Sequence, residues 1–307
     1  MGKKQRVYVD HVERNGLPNL QKNSRTKVNS YYSDSLRRLK KNPLSMVCAG
    51  VIVFLILVAI FAPYVAPYSP NAQNLKLKKA PPSAQHFLGT DDYGRDVLSR
   101  IIYGTQISLL VGVVASLINM VLGVLMGSLA GYFGGWVDAA ISRLIEILSA
   151  FPDILFTSLI TTFLGNSLLN VFIALGVVGW AQTARLIRGQ VMQLKEREYI
   201  EAATASGASS VWMIAKHLVP NCISTIIITV SMNIPAAILL EASLSFLGLG
   251  VSPPTSSWGS MIYFAKTFIR SEPFLSIFPG LAIMITVLAF NIFGDGLRDA
   301  LDPRLKE

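Results

Sequence analysis

A helix needs about 20 consecutive apolar residues to cross the hydrocarbon core of a bilayer. Residues 44–66, LSMVCAGVIVFLILVAIFAPYVA, run 23 positions without a charge. Inside hydrocarbon a backbone can satisfy its own polar groups only as a helix or a closed barrel, and a run this long without alternation fits the helix. Five more apolar stretches follow, at 104–133, 141–164, 168–186, 223–249 and 275–293. The expectation is an all-α integral membrane protein with six transmembrane helices. Composition agrees, because only 15% of residues are charged against about 25% in soluble domains. More than 40 residues precede the first run, which also exceeds the roughly 7–15 residues of a secretory h-region. It therefore reads as an uncleaved anchor.

Cytoplasmic segments of membrane proteins keep an excess of Lys and Arg. With the N-terminus inside, 20 of the 27 basic residues fall on the cytoplasmic side, 11 of them in the tail. Both termini are thus expected in the cytoplasm, and the polar segment 67–103 outside. The chain divides into a basic tail at 1–43, a first helix with its extracytoplasmic segment at 44–104, and a core of five helices at 105–307 with a cytoplasmic loop at 195–221. The net charge of +9 and clusters such as Arg37-Arg38-Leu39-Lys40-Lys41 are then topology signals. They imply membrane lipid as a partner and no nucleic acid.

No active site assembles from the residues. Cys48 and Cys222 are far apart, and His11, His86 and His217 fall in a tail, an outer segment and an inner loop. That spacing makes neither a metal cluster nor a catalytic triad. The phosphate-binding pattern G-x-x-x-x-G-K-[ST] does not occur. No catalytic residue, metal or cofactor is expected in this chain, so any uphill work must draw on a partner or an ion gradient.

Within the apolar runs, Gly123, Gly127 and Gly131 recur every four residues. They put a side-chain-free stripe on one helix face, which lets a second helix approach closely, from this chain or another subunit. Arg143 and Glu146, three apart, can neutralise each other on one face. Glu241 has no local partner, and intramembrane charges are costly. With Pro235 six residues before it, Glu241 faces either a water-filled pathway or a neighbouring helix. Pro152 and Pro235 are expected to kink or break the third and fifth helices.

The polar stretch EYIEAATASGASSVWMIAKHLVPN at 198–221 is too rich in small residues to span. Its Ala content favours helix, and Gly207 can end that helix or allow a sharp turn. Ser209 or Ser210 can then cap a second short helix at 211–219, with Val211, Ile214, Ala215 and Leu218 on one face. Helices that lie on lipid carry Lys or Arg opposite bulky apolar residues. This one carries neither along 201–207, and a small-residue knob suits a groove on another protein.

Glu201-Ala202-Ala203, Gly207 four residues on, then Ile214, Leu218 and Pro220 resemble the EAA loop of bacterial ABC-type importer permeases. LGTDDYGRDVLSRIIYGTQISL at 88–109, SFLGLGVSPPTSSWGSMI at 245–262 and FPGLAIMITVLAFNIFGDGLRDALDPRL at 278–305 resemble the C-type permease subunit of the dipeptide, oligopeptide and nickel importers. The resemblance extends over nearly all of the chain from about residue 35. It implies a type I ABC importer permease fold in the bacterial cytoplasmic (inner) membrane. It also implies a second homologous permease subunit, two ABC ATPase subunits holding ATP and Mg, and an extracytoplasmic solute-binding protein. Glu201, Ala202, Ala203 and Gly207 would contact the ATPase as a coupling helix. Closure of the ATPase dimer on ATP would then draw two such helices together and open the pathway outward.

The segments 67–103 and 253–258 are candidates for contact with the binding protein. Asp91, Asp92, Arg95, Asp96 and Arg100 can instead form a local ion-pair network. Di- or oligopeptides are the expected cargo. Nickel, a metal–chelator complex, glutathione or an oligosaccharide would keep the same architecture. An ion-gradient transporter or channel calls for paired intramembrane charges and repeat symmetry, which the sequence lacks. A tethering anchor leaves Glu241 and the glycine stripe unexplained.

Overall fold

The computed structural model describes residues 31–301, so most of the basic tail at 1–43 lies outside the described residues. In chain order the helices are α1 (Tyr31–Lys41), α2 (Pro43–Ile60), α3 (Ala62–Val65), α4 (Val97–Phe133), α5 (Gly135–Ser149), α6 (Asp153–Leu164), α7 (Leu168–Lys195), α8 (Glu198–Ala205), α9 (Ser210–Met213), α10 (Val219–Asn221), α11 (Ile223–Phe246), α12 (Trp258–Ala265) and α13 (Phe274–Leu301). Five of them, α2, α4, α7, α11 and α13, are long and apolar enough to cross a membrane.

The third apolar run, expected as one span at 141–164 kinked or broken at Pro152, is two helices. α5 and α6 meet at 90°, and the break falls at Pro152, which precedes the first residue of α6. Proline biases its predecessor away from helical backbone and has no N–H to give, so Phe151 is where the chain leaves α5's direction. The described residues hold a sixth crossing only if this bent pair counts as one. Pro235, by contrast, breaks nothing, since α11 runs unbroken through it. Packing explains the difference, because Pro235 is buried and Gly112 of α4 admits its neighbours closely. A Cβ at Gly112 would lie 2.8 Å from Ile238 Cγ1 and 3.2 Å from the Ile234 carbonyl.

α4 begins seven residues before the apolar run at 104, because Asp96 caps it. The Asp96 carboxylate accepts from the Ser99 N–H at 2.8 Å, one of the donors a helix start leaves free. Its 37 residues span roughly 55 Å, well beyond the ~30 Å hydrocarbon core, so α4 extends out of the membrane. α2 is the opposite case, since it buries only a stripe of Ser45, Cys48 and Ile52. That stripe sits against α13, in a cluster that includes Ile283, Ala289 and Phe290, and the remainder of α2 is free to face lipid.

The central seam joins α4 to α7. A Cβ at Gly123 would lie 2.5 Å from Thr183 Cβ, at Gly127 2.6 Å from the Ala184 carbonyl, and at Gly131 2.8 Å from the Arg188 carbonyl. The stripe therefore packs within this chain. α7 answers with its own glycine, Gly176, where a Cβ would lie 2.5 Å from Ile118 Cγ2. α12 does not span. Trp258 at its start is fully buried, donates from Nε1 to the Ile101 carbonyl at 3.2 Å, and has Gly104 beside its ring. Ser256 and Ser257 are buried too. Of the 253–258 loop, only Pro253 and Pro254 are exposed.

Candidate functional site

α8 ends as its sequence suggests. The Ala208 N–H donates to the Ala203 carbonyl at 3.2 Å and the Gly207 N–H to the Thr204 carbonyl at 3.0 Å. This paired closure requires a left-handed residue, and Gly207 supplies it at φ +84°. Ser209 is the residue that caps the next helix, accepting from the Trp212 N–H at 3.4 Å.

The second helix departs from the expected face. Val211 is 77% exposed and Ala215 is exposed, while Met213 and Leu218 are fully buried. The cause is a π-helical turn over Ile214–Leu218, which bonds i to i+5 and brings residues five apart onto one face. Periodicity at 3.6 could not have located it.

Ile200, Met213, Leu218 and Cys222 join Ile187 and Val191 of α7 and Ile226 of α11 in one buried cluster. These side chains fasten the loop to two long helices. At the end of α8 the exposed residues are mostly small, Glu201, Ala202, Thr204, Ala205, Ser206 and Gly207, and the larger Tyr199, Val211 and Trp212 are exposed beside them. Ala203 and Ile214 are half-buried and Pro220 is exposed. The matched residues thus divide into an outward set and an anchor, Leu218. Two further ties were not evident from sequence. Lys195 Nζ donates to the Tyr132 carbonyl at 2.7 Å, and Arg188 grips Asp138 of α5 through Nε and Nη2, the latter at 2.6 Å.

A cavity of about 600 Å³ opens between α4, the α5–α6 bend, α7 and α11. Its polar walls include Ser116, Asn119, Asp153, Gln182, Arg185 and Asn233. Asn119, Thr183 and Asn233 form a chain across three helices. The Thr183 hydroxyl donates to Asn119 at 2.8 Å and Asn233 donates to Thr183 Oγ1 at 3.4 Å. Uncharged amides inside apolar runs were the available sequence signal.

Neither Glu241 nor Pro235 is among the residues that line this cavity. Glu241 is fully buried, and its Oε1 accepts from Ser245 Oγ at 2.7 Å and from Ser257 Oγ at 2.8 Å. Ser257 caps α12, so the carboxyl links α11 to the start of that helix. Glu241→Ala should leave two buried hydroxyls short of an acceptor, at about 1–3 kcal/mol. Glu241→Gln keeps an acceptor there. Thermal unfolding in detergent should rank wild type and Gln above Ala, and equal midpoints for all three would remove this linking role.

On the segment before α4, Arg95 pairs with Asp91 at 2.6 Å and Arg100 approaches the same carboxylate at 3.6 Å. Arg100 also donates to the Pro70 carbonyl at 3.2 Å. Asp96 meets His86 Nδ1 at 2.8 Å. Burial, and then the neighbouring Asp91 carboxylate, raise Asp92 above the ordinary carboxylate value. Asp91, Asp92, Arg95 and Arg100 therefore form one local network, and Asp96 pairs separately with His86. Arg143 and Glu146 also pair, at 2.7 Å, but both are exposed, where such a pair is worth about 0–1 kcal/mol. Among the described residues no group of three or more His, Cys, Asp or Glu is placed to hold a metal ion.

Residues 123–307 match the family described as binding-protein-dependent transport system inner membrane component. The chain belongs to this family. Residues 30–82 match the N-terminal TM domain of oligopeptide transport permease C. The dipeptide transport system permease protein DppC of Bacillus subtilis (strain 168) is 44% identical, over 90% of this chain and 87% of that protein. The oligopeptide transport system permease protein OppC of the same strain is 41% identical, over 91% of each chain. The glutathione transport system permease protein GsiD of Escherichia coli O157:H7 is 42% identical, over 91% of this chain and 92% of that protein.

Among solved structures, a chain of the MetNI methionine ABC transporter in an inward-facing conformation matches 66% of this family member and 96% of its own length. The TM-score is 0.54 and the identity 18%, a likeness of fold. The chain is an all-α, multi-pass permease component of the inner membrane.

Proposed function

We propose that this chain is one permease half of an ATP-driven importer of small peptides. It pairs with a second, homologous permease, docks ATPase subunits through the loop at 195–221, and receives cargo from an extracytoplasmic binding protein. In this reading α5 and α6 act as one bent crossing, six crossings result, and the Lys and Arg excess holds both termini in the cytoplasm.

The observation that carries the reading is the construction of α8, with exposed small residues toward its C-terminal end, a left-handed glycine after it, and apolar anchors into α7 and α11. The names of the relatives speak of dipeptides, oligopeptides and glutathione, so a small peptide is the cargo that fits all of them. A push on α8 reaches α7 and α11 through Ile200, Met213 and Leu218. Those same two helices supply Arg185 and Asn233 to the cavity walls. Motion of the loop thereby becomes motion of the pathway.

Native mass spectrometry of the assembly that co-purifies with the tagged chain in mild detergent tests this. One second permease and two ATPase copies are expected. A homo-oligomer or the chain alone, under conditions where subunit contacts survive, would overturn it.

A further inference from the structure

Asp153 and Arg185 line the same cavity and do not pair. Among the described residues the Asp153 carboxylate enters no ion pair, and the Arg185 guanidinium has one hydrogen bond, to Ser149 Oγ at 2.8 Å. Two other pairs of opposite charges on α5 and α7 do close on each other, Arg188 with Asp138 and Arg143 with Glu146. Asp153 lies within the third apolar run and Arg185 near the end of the fourth, and ionisable side chains in such segments tend to face a water-filled cavity or pathway. Here one of each sign is kept open on a single wall system.

Position adds to the argument. Asp153 is the first residue of α6, immediately after the 90° break. Arg185 sits on α7, and its bond to Ser149 reaches the last residue of α5. The same cavity also offers amides, Asn119, Gln182 and Asn233, which can give and accept hydrogen bonds as a peptide backbone does. The volume of about 600 Å³ lies within the roughly 300–1,000 Å³ of small-molecule sites.

Resting on the peptide reading above, we propose that this cavity is a transient subsite for a zwitterion. Asp153 receives the terminal ammonium of the peptide and Arg185 its terminal carboxylate. Both side chains are exposed, which keeps the attraction weak. A conducting site must be attractive enough to enter and weak enough to leave.

The test uses the whole importer in detergent, without binding protein, carrying Ala236→Cys on the cavity wall as a reporter. The native Cys48 and Cys222 are buried, so N-ethylmaleimide reads the new thiol. Ala-Ala, N-acetyl-Ala-Ala and Ala-Ala amide are the competitors. Ala-Ala should slow labelling, and either blocked peptide should need about tenfold more for the same protection, the factor a charge-assisted hydrogen bond of ~1.4 kcal/mol represents. Arg185→Gln should make Ala-Ala and its amide equivalent, and Asp153→Asn should do so for Ala-Ala and its N-acetyl form. Arg185→Lys and Asp153→Glu should restore the difference.

Equal protection by all three peptides in wild type, or variants that weaken all three alike, overturns the proposal. So does the absence of protection by Ala-Ala in an importer that transports it. An assembly that takes up no peptide at all fails the functional reading instead, and uptake by proteoliposomes measures that separately.

Discussion

Gly207→Trp should reduce uptake to background while the chain still inserts and pairs with its permease partner. A Cβ at Gly207 would meet nothing within 4 Å, so an indole there points away from the chain and into whatever docks on α8. The substitution also forces a bulky residue to φ +84°, at a cost of roughly 1–2 kcal/mol for an L-residue. Gly207→Asn separates the two effects, because Asn tolerates the left-handed region and is short. Asn should keep the ATPases bound and most of the uptake, whereas Trp should lose both. Co-purification of ATPase with each variant is the direct measurement. Normal ATPase recovery with Gly207→Trp would take the docking role away from this turn.

The elements that physics writes locally were legible in the sequence. An uncharged run of 23 residues has few alternatives in water or lipid, and a glycine after an Ala-rich helix announces its own cap. What stayed hidden depended on packing between distant parts. Pro152 and Pro235 look alike in sequence, yet one ends a helix and the other is absorbed, because Gly112, more than a hundred residues away, gives α11 a close neighbour. Trp258 reads as the edge of an outer loop and is instead fully buried. Its indole is received by Ile101 and Gly104 of α4, a pairing no local pattern encodes.

The candidate site shows the same division. Glu201, Ala202 and Gly207 could be read as an outward face because exposure follows from small, polar composition. Leu218 belongs to the same matched set but is fully buried, since the π turn changes the period that a helical reading assumes. Asp153 and Arg185 stand 32 positions apart. The break at Pro152, where the sequence called for a kink or break, is in place, but that it sets Asp153 on the same cavity as Arg185 was not legible from the sequence.

Gly127→Leu should be the most damaging change in the membrane region. A Cβ there would lie 2.6 Å from the Ala184 carbonyl and 3.1 Å from Ala184 Cα. These are backbone atoms of a helix and cannot swing aside as the end of a side chain can. Overpacking typically costs about 1–3 kcal/mol when neighbours can shift. Here relief requires α7 to move off α4, and α7 carries Ile187 and Val191 of the loop anchor as well as Arg185 of the cavity. The yield of folded, monodisperse importer should fall about tenfold or more, equivalent to at least ~1.4 kcal/mol, with Gly127→Ala intermediate. Gly50→Leu is the matched control, since a Cβ at Gly50 of α2 meets nothing within 4 Å and an added apolar side chain there costs little in lipid. Fluorescence-detected size exclusion of the three variants checks the ranking. If Gly127→Leu assembles like wild type, the seam is looser than these distances say, and the loop and the cavity do not depend on α4 for their alignment.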